Sequence, residues 1–503
     1  MTRIPVLALC AVAFAGCASY RLVRAGEVNV SVAEGVRARL VALRGLRFET
    51  PVPVGAVDTA EARTMLEREV KRQFEPGEIT TLGRVYGALG LMAPGTDLER
   101  TLLDLYEQQV AGFYDPIDRR MVLVEDAVAP GLLARIVQGV VRRDLAGELV
   151  LAHELTHALQ DQHFGLEVGR GNVGEDDAQL ARRAVYEGDA TLAGFAVVLG
   201  GLRARTAVGL AGKLERVPGE LARAYPEIPE AIRETVAFQY VAGVNFVSWA
   251  YKSAGWEGVN RLLAQPPRST EQVLHPEKYF VRAEYPLAIR LGALMPYLKQ
   301  GWEVAEETTL GEFIIQLLAR RFFDRERAEA VAAGWDGDRL LALTRGPDMA
   351  LVWLTAWDSE ADAVEFWNAY AEVLAARHRD TTPTRPTKGA IALAGAQPYY
   401  LERRATKVLA IEGPLDSDLP EVAERVWRRS TSEPSLPWMP LELADPRHGA
   451  SPAAGLRVCE SILRASRIDS RIPNRHGCAE PLAVLARAVP DPAFPRPRRA
   501  SPP

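Results

Sequence analysis

Two histidines four residues apart are the residues of this chain whose types and spacing most directly indicate chemistry. His153 and His157 enclose Glu154 in the segment HELTH, which fits the pattern HExxH. On a helix, residues four apart project from the same face, so both imidazoles can reach one zinc ion. Glu154 lies about 100° around such a helix. There its carboxylate can take a proton from a zinc-bound water and return it to a leaving amine.

A zinc site needs a third protein ligand, and three residues compete for that role. His163 lies six residues after His157, the spacing of HExxHxxGxxH, but Gln160 stands where that motif turns the chain at a glycine. Asp161 lies one helical turn after His157. Glu187, in VYEGDAT, lies thirty residues after His157 on the next predicted helix. A glutamate from a separate helix completes the His2Glu set of zinc peptidases. We expect Glu187 as the ligand, with His163 and Asp161 as alternatives.

Groups that orient the ligands or stabilise an oxyanion are the next requirement. Thr191 lies one turn after Glu187 on the same helix face, where a contact with a ligand histidine is expected. Asp189 lies about 200° around the helix from Glu187, so it is the poorer candidate, and a solvated charge explains it equally well. Peptide hydrolysis also requires a donor for the oxyanion. The candidates are His275 in LHPEKY, Tyr114 and Tyr240, of which we select His275.

Apolar periodicity predicts the elements that position these residues. A helix that Asp144 can cap carries HELTH, and a glycine-rich loop follows over residues 165–174. The next helix starts at Asp176 or Asp177, carries Glu187 and stops at a double glycine. Before the HELTH helix, the turn DPIDR and the run MVLV predict a hairpin or edge strand over residues 113–124. A further helix is expected to be capped by Thr96-Asp97.

From about residue 305 the pattern changes from helical to mixed. The strand-like run ALVWLTAW lies between two helical segments, and YYLERRATKVLAIEG reads as a hairpin. From residue 430 the chain is rich in proline and arginine without periodicity, which predicts disorder. We therefore predict an α+β chain, mainly helical, with a catalytic domain at 36–300, a smaller α+β C-terminal domain at 305–415 and a disordered tail at 430–503.

The N-terminus has the layout of a secretory signal. Arg3 precedes the apolar run from Ile4 to Phe14. The stretch from Phe14 to Cys17, FAGC, resembles the bacterial lipobox, whose cysteine is lipidated and becomes the first mature residue. We expect a signal peptide over 1–16 and a lipidated tether over 17–35. Because Ala18 rather than aspartate follows the cysteine, we expect an outer-membrane anchor.

The overall composition is that of a globular protein. The chain has 503 residues, of which 48% are hydrophobic and 25% charged, and a net charge of -5. Without a basic stripe, no nucleic-acid partner is predicted. Beyond the N-terminus no apolar run of about 18 residues predicts a membrane span. Cys10 falls in the signal and Cys17 is the lipid site, which leaves Cys459 and Cys478 as a possible disulfide in an oxidising compartment.

Three segments together carry a family resemblance. HELTHALQDQHFGL, followed by VYEGDAT and preceded by GFYDPIDRRMVLVED, resembles bacterial gluzincin zinc metallopeptidases of the thermolysin-like, minimal-core kind, over roughly residues 40–300. STEQVLHPEKY also resembles a segment that recurs in such lipoprotein peptidases. The resemblance implies a zincin-like core in which an edge strand binds the substrate backbone, and Met121 to Val124 match that strand by position. It implies His153, His157 and Glu187 as zinc ligands and Glu154 as the base.

The predicted function is a zinc-dependent endopeptidase of the bacterial cell envelope. Its partners would be a peptide or protein substrate and the membrane, reached through a lipid anchor at Cys17. The alternative is a zinc-binding, non-proteolytic envelope lipoprotein that acts as scaffold or chaperone. Glu154 favours the enzyme, because a scaffold has no need of a general base. Hydrolysis of a non-peptide bond is a weaker third hypothesis.

Overall fold

The computed structural model describes residues 22–24, 26–73, 76–109, 111–124, 146–166, 176–298, 300–378, 383–387, 389–395, 397–415 and 418–435. They all belong to one compact unit of the chain. The predicted signal peptide, the lipid site at Cys17, the Asp144 cap, most of the glycine-rich loop and the pair Cys459 and Cys478 lie outside the described residues. The predicted tail lies outside them from residue 436 onward.

The described residues form an α+β structure, as the sequence predicts. The helices are α1 (Val30–Arg44), α2 (Thr59–Gln73), α3 (Glu78–Leu89), α4 (Leu98–Gln109), α5 (Ala146–Phe164), α6 (Asp176–Val198), α7 (Ala204–Leu214), α8 (Val217–Ala224), α9 (Glu230–Ala264), α10 (Thr270–Leu274), α11 (Glu277–Phe280), α12 (Gly311–Arg320), α13 (Arg325–Ala332), α14 (Glu360–Arg377) and α15 (Leu419–Arg429). The strands are β1 (Val23–Arg24), β2 (Glu27–Val28), β3 (Val54–Val57), β4 (Gly112–Asp115), β5 (Arg120–Val124), β6 (Leu287–Arg290), β7 (Glu303–Thr308), β8 (Trp335–Arg345), β9 (Asp348–Trp357), β10 (Thr384–Thr387), β11 (Ala390–Leu393), β12 (Tyr399–Arg404), β13 (Lys407–Glu412) and β14 (Thr431–Pro434).

Helix α6 packs backbone to backbone against a neighbour on each side. A Cβ added to Gly188 would lie 2.4 Å from the carbonyl carbon and oxygen of Gly243 in α9. A Cβ added to Gly194 would lie 3.1 Å from the carbonyl oxygen of Leu149 in α5. Because only glycine permits such approaches, these contacts fix the position of Glu187, the neighbour of Gly188, relative to α5 and α9.

Helix α9 is two helical pieces joined at a sharp turn. Ala254 (φ -149°, ψ 24°) and Gly255 (φ 60°, ψ -148°) leave the helical region, and a positive φ of this kind favours glycine. The second piece returns close to the first, since a Cβ on Gly258 would lie 2.4 Å from the Ala250 carbonyl oxygen. The turn brings Trp256 and the following residues back towards the body of the protein.

A three-stranded sheet lies beside α5, and its strand order corrects one prediction. Its order is β3-β5-β4, with β5 parallel to β3 and antiparallel to β4. Met121 to Val124, expected as the edge strand, therefore form the central strand, and β4 is the edge next to α5. The cause is β3, which pairs with β5 from a segment about 65 residues earlier whose sequence reads as turn-rich.

The C-terminal half of the described chain contains a seven-stranded antiparallel sheet with the order β10-β11-β12-β13-β9-β8-β7. Both faces of this sheet are covered. Leu340 and Ala342 join a buried cluster that includes Phe366 of α14, whereas Leu341 belongs to a second cluster that includes Val422 of α15. Because successive side chains of a strand point to opposite faces, two covered faces explain the continuous apolar run in these strands.

Ordered structure extends beyond both predicted limits of the folded body. Helix α1 starts at Val30, inside the predicted tether, and Asn29 caps it by accepting a hydrogen bond from the backbone N–H of Val32. Its buried residues include Ala33 and Val36, spaced for a helix face. At the other end, β14 pairs with β6, so the first residues of the predicted tail belong to a sheet. Within the described residues, no helix is long and apolar enough to cross a bilayer.

Candidate metal centre

Three side chains converge between α5 and α6. The Nε2 atoms of His153 and His157 are 3.1 Å apart. The Glu187 carboxylate oxygens lie 3.2 Å from Nε2 of His153 and 3.7 Å from Nε2 of His157. Ligands of a tetrahedral zinc, each about 2.0–2.1 Å from the ion, are roughly 3.4 Å apart. The three observed separations are close to that value, so one small cation fits the group.

The carboxylate of Glu187 has an oxygen that a cation could satisfy. Its Oε2 atom is buried and has no hydrogen-bond partner; at 3.2 Å from His153 Nε2 it is near a ring nitrogen but outside hydrogen-bond geometry. A buried carboxylate oxygen without a partner is costly. A metal ion shared with the two histidines would satisfy it. The set of two imidazoles and one carboxylate suits zinc.

The charges of the group are strongly coupled. Burial alone would lower the pKa of His157, but the carboxylates of Glu187 and Glu154 outweigh it and raise that pKa to about 9. Burial would raise the pKa of Glu187, but the two histidines hold it well below its usual range. In the metal-free protein, a proton on His157 therefore compensates the Glu187 carboxylate, and a bound cation would take over that task.

A buried chain of polar groups supports His157. Its Nδ1 lies 2.8 Å from Oε1 of Gln160, whose Nε2 donates to Oδ2 of Asp189 at 2.8 Å and to the carbonyl of Tyr186 at 3.0 Å. The other oxygen of Asp189 forms an ion pair with Arg44. The alternative of a solvated charge for Asp189 is therefore wrong, since this residue is fully buried.

Two residues flank the other ligand histidine. Oγ1 of Thr191 lies 3.5 Å from Nδ1 of His153, on the side that the sequence predicted. The ring of Tyr240, from α9, stacks on the His153 ring with centroids 6.1 Å apart and planes at 20°. Tyr240 is thus the oxyanion-donor candidate whose ring contacts a ligand histidine.

Glu154 lies between the three ligands and the edge strand β4. Its Oε2 accepts a hydrogen bond from the backbone N–H of Tyr114 at 3.0 Å. The Tyr114 hydroxyl donates to Oδ2 of Asp161 at 2.9 Å, so this alternative third ligand is engaged elsewhere. The pKa of Glu154 is raised, chiefly because burial disfavours its charge. A raised pKa suits a carboxyl group that accepts and returns a proton near neutral pH.

Two of the sequence candidates lie away from this group. Helix α5 continues through Gln160 to Phe164, so His163 points to the other side, where its Nε2 contacts the carbonyl of Arg47 at 2.8 Å. His275 ends α10, and its Nε2 lies 2.9 Å from Oε1 of Glu312.

The selection of His275 as the oxyanion donor is corrected by this placement. Helix α10 is held at the start of α6, where Thr270 donates to Asp177. Asp177 precedes Glu187 by ten residues, about 15 Å along a helix. His275 contacts Glu312 and does not belong to the group of His153, His157 and Glu187, so we do not retain it as the donor.

The sequence does not predict the residues that support the Nδ1 side of His157. Gln160 was considered only as a departure from another motif, although it lies three residues after His157 on the same helix face, a spacing at which side chains meet. Arg44 and Asn260, whose side chains hydrogen-bond to each other, carry no local signal, because they are brought to the site by tertiary packing alone.

Comparison with known proteins adds one match. A protein family described as a domain of unknown function, DUF8575, matches residues 299–423. This range contains the seven-stranded sheet and excludes all three candidate ligands. Searches of curated proteins and of solved structures give no match.

Proposed function

We propose that this protein is a zinc-dependent endopeptidase with a zincin-like core. The observation that carries the proposal is the convergence of His153, His157 and Glu187 beside a carboxylate, Glu154, that the edge strand holds in place. When bound, zinc supplies a Lewis acid that activates water and polarises a carbonyl oxygen. The remaining chemistry belongs to residues of the chain.

Glu154 is the general base in this proposal. The N–H of Tyr114 holds its Oε2 atom, so Oε1 is the oxygen that we assign to proton transfer. In its ionised form Glu154 takes a proton from the attacking water, and in its protonated form it gives that proton to the leaving amine. Burial raises the pKa of Glu154, the direction that favours return of the proton.

The edge strand and Tyr240 supply the remaining functions. Val124 donates to the carbonyl of Ala111, so in the alternating antiparallel ladder Gly112 and Tyr114 turn their backbone groups away from β5. The N–H of Tyr114 is donated to Glu154, so an extended peptide would pair by β-augmentation with the other outward-facing groups of Gly112 and Tyr114, which selects an unfolded segment. We propose Tyr240, whose ring stacks on that of His153, as the donor to the oxyanion, since a donor of this kind contributes about 3 kcal/mol to lowering the barrier in other hydrolases.

Glu154→Gln tests the proposal, with Glu148→Gln on the same helix as its matched control. Glu148 is paired with Arg39 rather than with the metal group. We expect Glu154→Gln to retain stoichiometric zinc, measured by elemental analysis, and to cleave casein at least about 100-fold more slowly, with little change for Glu148→Gln. Zinc-loaded wild type that cleaves no peptide in a broad library would exclude the peptidase and favour the scaffold alternative.

The proposed cell-envelope location rests on the N-terminal sequence. Incorporation of a labelled fatty acid in a bacterial host should depend on Cys17 and be lost in Cys17→Ala. A chain that is exported but carries no lipid in the wild type would contradict the anchor while leaving the peptidase proposal intact.

A further inference from the structure

The side chain of Gln160 has a fixed orientation. Its Nε2 group faces two acceptors, the carboxylate of Asp189 at 2.8 Å and the carbonyl of Tyr186 at 3.0 Å. Turned by 180°, the amide would point its oxygen at both acceptors and lose both hydrogen bonds. Gln160 is only 1% exposed, so water cannot replace them. Oε1 of Gln160 therefore faces His157 and acts as an acceptor.

This orientation dictates which nitrogen of His157 carries hydrogen. Oε1 of Gln160 lies 2.8 Å from Nδ1 of His157 and can only accept, so Nδ1 must be the N–H. In the neutral imidazole the lone pair then resides on Nε2, the atom that faces His153 and Glu187. The opposite tautomer would place an N–H where the metal must bind.

Asp189 and Arg44 keep Gln160 in this state. Asp189 is fully buried, and the guanidinium of Arg44 neutralises its charge. Arg44 also donates to Oδ1 of Asn260 at 2.9 Å, and its guanidinium lies 4.7 Å from the centre of the Trp256 ring. A buried charge with this much support is costly to displace. Among the described contacts, Arg44 acts on the site by holding Asp189, the acceptor for the Gln160 amide.

We propose that Gln160 is a positioning residue that, held by Asp189 and Arg44, fixes His157 in the tautomer that presents Nε2 to the metal. This inference rests on the zinc site of the proposed function. His153 has weaker support: among the residues that the structure describes, the contact of its Nδ1 is with the Thr191 hydroxyl at 3.5 Å. We therefore expect the affinity for the metal to depend more on the residues that support His157, namely Gln160, Asp189 and Arg44, than on those that contact His153.

Gln160→Met is the principal test, and Gln162→Met is its matched control. Methionine keeps the length and helix propensity of glutamine but cannot accept from Nδ1. Gln162 is on the same helix and bonds instead to the backbone of Glu49 and Thr50. Zinc dissociation constants are measured by competition with a chelator. Loss of such an outer hydrogen bond typically weakens metal binding about 10- to 100-fold, which we expect for Gln160→Met and not for Gln162→Met.

Nuclear magnetic resonance of the zinc-loaded, ¹⁵N-histidine-labelled protein gives a readout that a purely structural role would not change. The Nδ1–H signal of His157 should persist in water in the wild type and in Gln162→Met. In Gln160→Met it should disappear through exchange with water. Gln160→Glu keeps an acceptor for Nδ1, and when protonated on the oxygen that faces Asp189 it also keeps a donor, so it should retain the signal with a lower melting temperature. This second variant also serves if Gln160→Met does not fold.

The outcomes separate this inference from the proposed function. Gln160→Met with zinc affinity within twofold of the wild type, or with its Nδ1–H signal retained, would overturn the positioning role alone. So would loss of the signal in folded Gln160→Glu. A folded wild type that binds no zinc would overturn both proposals. Zinc binding without proteolysis would remove the peptidase and leave the role of Gln160 standing.

Discussion

Replacing Gly188 with alanine is expected to push α6, which carries Glu187, away from α9 and so to disturb the metal centre between α6 and α5. The new Cβ would lie 2.4 Å from the backbone of Gly243, against an ordinary contact of 3.4 Å or more, so α6 must move by about 1 Å relative to α9. Overpacking of this kind lowers the free energy of unfolding by roughly 1–3 kcal/mol. The upper end applies because the new Cβ clashes with backbone atoms rather than with a flexible side chain. The better helix propensity of alanine returns up to about 1 kcal/mol. The free energy of unfolding should therefore fall by about 2 kcal/mol.

The same shift displaces the neighbouring proposed ligand, Glu187, relative to the two histidines of α5. A displacement of about 1 Å at a reacting centre can cost 100-fold in rate, so kcat/KM on a peptide substrate should fall by about that factor. Gly209→Ala, in the exposed face of α7 with nothing within 4 Å of the new Cβ, is the control. It should stabilise the protein by up to about 1 kcal/mol. If urea denaturation and zinc titration give Gly188→Ala the same free energy of unfolding and the same zinc affinity as the wild type, the close contact between α6 and α9 is refuted.

Three further predictions concern other parts of the molecule. Because the pKa of His157 is raised to about 9 in the metal-free protein, its proton must leave before zinc binds. Calorimetry at pH 7 in buffers of different ionisation enthalpy should detect about one proton released per zinc from this group. The affinity for zinc should rise with pH until about 9. Asp97 accepts from the backbone N–H of Arg100 at 3.0 Å, so Asp97→Ala should cost about 1 kcal/mol of unfolding free energy, whereas Asp104→Ala, on the same helix with an exposed ion pair, should change it by less than about 0.5 kcal/mol. Asp338 is buried and accepts from two backbone N–H groups and two indole N–H groups, so Asp338→Ala should lower the unfolding free energy by at least about 3 kcal/mol; a smaller loss in denaturation would contradict that network.

Local spacing predicts the parts of the centre that one helix or its neighbour supplies. The i and i+4 rule brings His153 and His157 to one face, and the need for a carboxylate from a second helix selects Glu187. The cap at Asp97 and the hairpin in YYLERRATKVLAIEG follow from equally local rules, and the structure confirms both.

Tertiary packing decides what the sequence does not predict. Asp189 reads as a surface charge because its partner, Arg44, is 145 positions away. Met121 to Val124 read as an edge strand because β3 gives no signal of its pairing. His275 has the residue type of an oxyanion donor, but its contact with Glu312 depends on the packing of α10 against α12, which the sequence does not predict.

The ion pair of Arg44 and its hydrogen bond to Asn260 also set an order of events during folding. These two residues are 216 positions apart, and contacts this distant in sequence form late, because the intervening chain must first lose its freedom. A chain interrupted before residue 260 can form the HELTH helix but cannot complete the support behind it. If zinc binds as proposed, high-affinity binding is therefore expected only in a chain that has folded as far as Asn260. For a chain with the proposed activity, this order keeps nascent and half-folded copies from cleaving their neighbours.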